Sequence, residues 1–167
     1  MPKVNHVKAR KDYPEQGIKK GDMYYTWNLM TGPRSSRTYR QLAAPKRSQL
    51  TTSEFLKRIY DIEDRISALT DLSDLENIVS DLRELSDDEQ GKYDNMSEGL
   101  QQGSTGQLIE ARATACSDAA DAFEAIDTEF DEEEPEDDDE KAEWQERFNS
   151  WEEDLLEEIR SASIDYE

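Results

Sequence analysis

The charge of this 167-residue chain is split unevenly along its length, and that split limits what the chain can fold into. Residues 1–50 hold 11 Lys/Arg against 3 Asp/Glu, whereas residues 51–167 hold 9 against 38. Repulsion among so many carboxylates opposes a thick globular core and is weakened by salt, so stability should rise with ionic strength. Hydrophobic residues make up 34% and charged residues 37%. Elongated helices with a narrow apolar seam are therefore expected, stabilised at roughly 25 cal/mol per Å² of apolar surface buried. The expected fold class is mainly α: an antiparallel helical hairpin or three-helix coiled body, an N-terminal β-hairpin and a C-terminal amphipathic helix. The expected segments are 1–50, a basic arm and hairpin; 51–127, the acidic helical body; 128–140, an acidic linker; and 141–167, the final helix.

Residues 1–20 read as a polar basic arm, with Pro14 and Gly17 interrupting any helix. Tyr25, Trp27 and Leu29 then alternate with Tyr24, Thr26 and Asn28, the period of a β-strand. Thr31-Gly32-Pro33 breaks the run, and Thr38 to Leu42 can return, which predicts a two-stranded hairpin with a loose turn near 31–36. A lone hairpin is marginal in water, so it must lean on a helix or a partner. Thr51 followed by Glu54 fits a capping box, and Phe55, Ile59, Ile62, Ile66 and Leu69 follow at seam spacing. A second helix restarts at Asp71 or Ser73, with Leu75, Ile78, Val79, Leu82 and Leu85 inward and a reach to Tyr93 and Met96. After a Gly99–Gly103 turn, Ser104 with Gln107 predicts a third helix to about Asp127, with Leu108, Ile109, Cys116, Ala119, Phe123 and Ile126 inward. Ten of the twelve residues 129–140 are acidic and Pro135 lies among them, which predicts a disordered linker. Ala142 to Ala162 then carries a helical stripe of Trp144, Phe148, Trp151, Leu155, Ile159 and Ala162.

Enzymatic chemistry finds few parts here. The one histidine, His6, and the one cysteine, Cys116, allow neither a disulfide nor a Cys/His zinc site, and no nucleophile–base pair can be assembled from them. His6 reads as a surface residue and Cys116 as a buried small hydrophobe on an alanine-rich helix. The 129–140 run lacks the spacing and turn glycine of a calcium loop. Gly99, Gly103 and Gly106 lack the lysine of a phosphate-binding loop. No catalytic residue, metal ligand or cofactor is expected, and the chain is not expected to be an enzyme. No segment approaches the ~20 apolar residues of a membrane span, and the N-terminus lacks an apolar signal core. The expected compartment is the cytoplasm.

Three surfaces remain. Lys3, Lys8, Arg10, Lys11, Lys19, Lys20, Arg34, Arg37 and Arg40 flank Tyr24, Tyr25 and Trp27, a combination that positions phosphates and stacks bases. The candidate nucleic-acid contacts are Lys19, Lys20, Tyr25, Trp27, Arg37 and Arg40; the same cations could instead dock on the chain's own acidic helices or on another protein. Carboxylates four residues apart on a helix lie about 6 Å apart along its axis, close to phosphate spacing. The acidic body can therefore act as a nucleic-acid mimic or simply as a solvated face. Its candidate partner-binding residues are Glu129, Asp131, Glu132, Glu133, Glu134, Asp137, Asp138 and Asp139. Trp144, Phe148 and Trp151 either complete the core or form a docking stripe for a partner groove.

The strings KARKDYPEQGIKKGDMYYTWNL, PKRSQLTTSEF and DNMSEGLQQGSTGQLIEARA resemble small acidic proteins, of uncharacterised activity, encoded by tailed bacteriophages. The resemblance spans roughly residues 3–127 and implies a phage protein acting in the cytoplasm of a bacterial host cell. Together with the charge pattern it leads to one expectation. The chain binds and inhibits a host nucleic-acid-processing or defence protein that has a basic groove, using acidic helices as the mimic. Two alternatives stay open: a nucleic-acid-binding accessory protein that uses the basic ribbon in residues 1–50, and a structural or assembly coil of the virion. Self-association as a homodimer through the seams is a further expectation.

Overall fold

A computed structural model describes residues 1–166 and, for Asp138 and Asp139, the backbone alone. The chain is mostly helical, with an antiparallel sheet at the N-terminus and a helix at the C-terminus. It divides into two compact units, Met1–Asp61 and Ile62–Glu167. The division falls inside the first long helix rather than at residue 50.

The first unit holds three strands, β1 (Asn5–Lys8), β2 (Met23–Gly32) and β3 (Ser35–Gln41), in the order β1-β2-β3. The expected hairpin is present, but the basic arm adds a strand to it. β1 is exposed at every position, so it carries no alternating signal; it forms by pairing Asn5 to Lys8 against Thr26 to Met23. The residues expected only to break helices shape the connection. Pro14 starts a 3-10 turn that ends at Gly17 with φ 66°, and Tyr13 and Ile18 exchange backbone hydrogen bonds of 2.7 and 3.2 Å across it. Gly21, at φ 102°, then hydrogen-bonds Ala9 O at 2.9 Å. Both glycines adopt left-handed backbone that a side chain would strain. The β2–β3 turn is tighter than expected: β3 starts at Ser35, and an irregularity between Met30 and Gly32 absorbs the mismatch.

Both faces of β2 are used. Trp27 and Leu29 are buried on one face, while Tyr24, on the other, joins Ala9 and Ile18 in a small cluster against which Tyr13 packs. The Trp27 indole N–H donates to Gln49 O at 3.1 Å.

Helix α1 (Glu54–Ser67) has its cap two residues later than expected. The Thr51 hydroxyl accepts from Ser53 N at 3.1 Å, a local turn, and the Ser53 hydroxyl accepts from Leu56 N at 3.4 Å. Ser53 is therefore the capping residue. All five expected seam residues, Phe55, Ile59, Ile62, Ile66 and Leu69, are buried.

In the second unit, Asp71 accepts from Ser73 N at 2.8 Å and opens a 3-10 turn that leads into α2 (Leu75–Asp94). A short helix α3 (Glu98–Gln101), where a glycine turn was expected, connects to α4 (Ser104–Glu124). α4 is capped by Gly103 with no side-chain bond, so the expected Ser104 box does not form. α2 and α4 run antiparallel and pack on each other: Arg83 reaches Asp121 and Glu124, and Ser86 Oγ donates to Ala113 O at 2.8 Å. Leu75, Ile78, Leu82, Leu85 and Glu89 are buried on α2. Gly106, Ala113, Cys116, Ala120 and Phe123 are buried on α4. Of the expected inward residues on these helices, Leu108 is 39% exposed and Val79, Ile109, Ala119 and Ile126 are half-buried; on α4 the buried seam runs through Gly106, Ala113 and Ala120.

Helix α5 (Asp138–Ser161) begins four residues earlier than expected. The segment before it, expected as a disordered linker, folds back along it. Phe130 sits with its ring centroid 5.9 Å from Trp144, 5.5 Å from Phe148 and 5.2 Å from Trp151. The other end of α5 joins the unit through buried Leu156 and Ile159, while Ala162 is exposed past the helix end. Arg160 Nε donates to Leu69 O at 2.7 Å, a cation on the carbonyl end of α1. Ile164 and Tyr166 beyond α5 are also buried. Among the described residues no helix is long and apolar enough to cross a membrane.

Candidate interaction surfaces

The strand register assigns each basic candidate to a face of the sheet. His6, Lys8, Tyr25, Trp27, Arg37 and Tyr39 share one face, and Tyr24 and Arg40 share the other. On the first face, His6 and Tyr25 are stacked at 4.3 Å and 11°, and Trp27 and Tyr39 at 5.6 Å and 12°. Arg37 lies 5.5 Å from the centre of the Tyr39 ring. On the second face, Arg40 lies 4.8 Å from the centre of the Tyr13 ring. A hydrogen bond with Tyr13 pushes the Tyr24 phenol above its ordinary 10.0, with burial adding to this and Arg40 opposing it.

The six expected nucleic-acid contacts are therefore not gathered on one surface. Tyr25, Trp27 and Arg37 share a face, Arg40 is on the reverse, and Lys19 and Lys20 lie in the turn before β2. Trp27 is 3% exposed with its N–H already donated, so it is a core residue rather than an open ring. His6, read from sequence as a plain surface residue, is the ring the fold places beside Tyr25. Only the register of β1, which has no sequence pattern of its own, reveals this pairing.

The acidic candidates divide similarly. Glu132 receives the Arg147 guanidinium at 2.9 and 2.7 Å, and its carbonyl accepts from Trp144 Nε1 at 3.2 Å. That ion pair pushes Arg147 above its ordinary value. Glu134 lies 3.9 Å from Lys141. Glu129, Asp131, Glu133 and Asp137 are exposed, and the side chains of Asp138 and Asp139 lie outside the described part. Trp144, Phe148 and Trp151 are half-buried against Phe130 and each other, a satellite cluster rather than an open stripe.

An acidic surface that the specific candidates omitted is the outer side of α2. The buried seam positions fix this helix's orientation and place Glu84, Asp87 and Asp94 opposite them, all exposed. Among the described residues, six of the unit's cations are held in ion pairs inside it: Arg65 with Asp81, Arg83 with Asp121 and Glu124, Lys92 with Glu89, Lys141 with Glu134, Arg147 with Glu132, and Arg160 with Glu153. The hydrogen bonds Arg83 donates to Glu124 and Asp121 push it above its ordinary value. At the open end of the α2–α4 pair is a groove of about 700 Å³ with Leu72, Val79, Phe123 and Ile126 in its lining.

Among the described residues, no group of three or more His, Cys, Asp and Glu could hold a metal ion. No known protein family, curated protein or solved structure matches the chain.

Proposed function

We propose that this chain is a non-enzymatic binding protein of phage origin whose acidic helices occupy the basic, nucleic-acid-binding groove of a bacterial host protein and inhibit it. The observation that carries this reading is the outer side of α2. Glu84, Asp87 and Asp94 are set along one side of the helix, about 4.5 and 10.5 Å apart along its axis at 1.5 Å of rise per residue, an exposed row of negative charge. Residues 62–167 contain 36 Asp/Glu against 7 Lys/Arg, and the ion pairs inside the unit neutralise only a minority of the carboxylates. The field outside is negative, and it steers basic partners. A coiled three-helix body and a homodimer through its seams belong to this reading, as does action in the host cytoplasm.

Affinity capture from nuclease-treated bacterial lysate at physiological ionic strength tests the reading. One host protein should be retained in stoichiometric yield and released by salt, and Glu84→Gln/Asp87→Asn/Asp94→Asn should retain less of it. Retention that is lost on nuclease treatment, or that the triple substitution leaves unchanged, would contradict it.

A further inference from the structure

The first unit carries a surface that the acidic helices do not explain. β1 is an edge strand, so nothing in the sheet lies beyond it. His6 on β1 pairs with Tyr25 on β2, and their rings stand parallel at 4.3 Å. One face of the exposed imidazole is covered by Tyr25, and the other points away from the sheet past its edge. Gln41, paired with Tyr25 across β2 and β3, is held by reciprocal side-chain hydrogen bonds with Gln49 at 3.1 and 3.3 Å. Lys8 lies two residues along β1 on the same face, about 7 Å from His6. Lys3, Arg10 and Lys11 are exposed around that edge. Residues 1–61 hold 13 Lys/Arg against 5 Asp/Glu.

We propose that this edge is a binding site for single-stranded nucleic acid. A base stacks on the outer face of His6 and extends the Tyr25–His6 stack by one ring, and Lys8 meets the adjoining phosphate. Single strands fit because their bases are free to leave their own stack, whereas in a duplex both base faces are occupied. The outer imidazole face beside Lys8 matches a base joined to a phosphate, a pairing that an acidic protein surface does not offer.

Fluorescence anisotropy of labelled oligothymidylate and oligouridylate of about eight nucleotides, with the full chain, tests this. The wild type should bind a single strand more tightly than a duplex of equal length, and the thymidylate and uridylate arms tell DNA from RNA. His6→Ala should weaken binding about tenfold while His6→Phe, which keeps a stacking ring, retains it. Lys8→Gln should weaken binding and flatten its decline between about 50 and 200 mM salt. Equal binding of duplex and single strand, no binding at the lower salt, or no loss with His6→Ala would overturn the proposal. So would a change in self-association, rather than oligonucleotide binding, on replacing His6, because the edge would then be a protein interface. The acidic reading of α2 is untouched by any of these results, because every substituted residue lies in the other unit.

Discussion

Glu89 is buried at a seam position of α2, 2% exposed, and Lys92, less than one turn further along, forms an ion pair with its carboxylate. The two predecessors of Glu89 in the seam are Leu82 and Leu85, so a charge stands where the pattern calls for an apolar residue. Lys92 is half in solvent, which makes it a partial partner rather than a full one.

Lys92→Ala should therefore destabilise the chain by about 2 kcal/mol, because it leaves a buried carboxylate uncompensated. Glu89→Leu should be neutral or stabilising, since apolar replacement of a buried ion pair removes its desolvation cost. Urea-unfolding midpoints separate the two. A Lys92→Ala midpoint equal to wild type would mean that the pair contributes nothing.

Two glycines in the same unit should respond oppositely to alanine. A Cβ at Gly106 would lie 2.3 Å from Gln101 O and 2.5 Å from Gln101 Cα, so α4 cannot approach the preceding turn with a side chain there. Gly91 lies inside α2 with nothing within 4 Å of its added Cβ. Gly91→Ala should stabilise by up to about 1 kcal/mol through helix propensity. Gly106→Ala should destabilise by about 2 kcal/mol or more through the forced backbone shift. Thermal midpoints that move in the same direction would contradict this packing.

Much of the helical seam is legible because its buried positions repeat at three and four residues, from Phe55 to Leu69, from Leu75 to Leu85 and from Cys116 to Phe123. The seam fails to read where small or charged residues fill it. Gly106 and Glu89 carry no apolar signal, which is why Leu108 looks inward and is not. β1 is invisible because Asn5 to Lys8 bury nothing and gain their structure from β2. Phe130 is hidden by composition: in a run of ten acids a single aromatic does not register, yet three rings on α5 supply its partners. The consequence for the candidate sites is direct. Charge and aromatic content are read from composition, but the gathering of side chains depends on register, which gives His6 to Tyr25 and removes Trp27 from the surface.

The contact of Phe130 with α5 should be visible in fluorescence. Phe130→Ala should expose Trp144 and Trp151, shift the tryptophan emission to the red and cost roughly 1–2 kcal/mol locally. Trp27 should keep its buried emission, as it lies in the other unit. An unchanged spectrum would show that the acidic segment does not lie against the helix in solution.

Asp71 gives a pH signature. Hydrogen bonds from the Ser73 backbone and side chain hold its carboxyl below its ordinary 3.8. A depressed carboxylate contributes stability that is present above the unfolded value and lost as pH falls through the lower folded one. The stability difference between wild type and Asp71→Ala should thus be constant near neutrality and should close only below pH 3.8. A difference that closes at higher pH would assign it to another group.

The central claim is that the acidic helices take the place of nucleic acid, and competition tests it most directly. The host protein captured by this chain is loaded with its own labelled nucleic acid and titrated with the chain while anisotropy is followed. The account predicts stoichiometric release of the label, weakened by salt and by Glu84→Gln/Asp87→Asn/Asp94→Asn. A ternary complex that keeps the nucleic acid bound as the chain is added would contradict it.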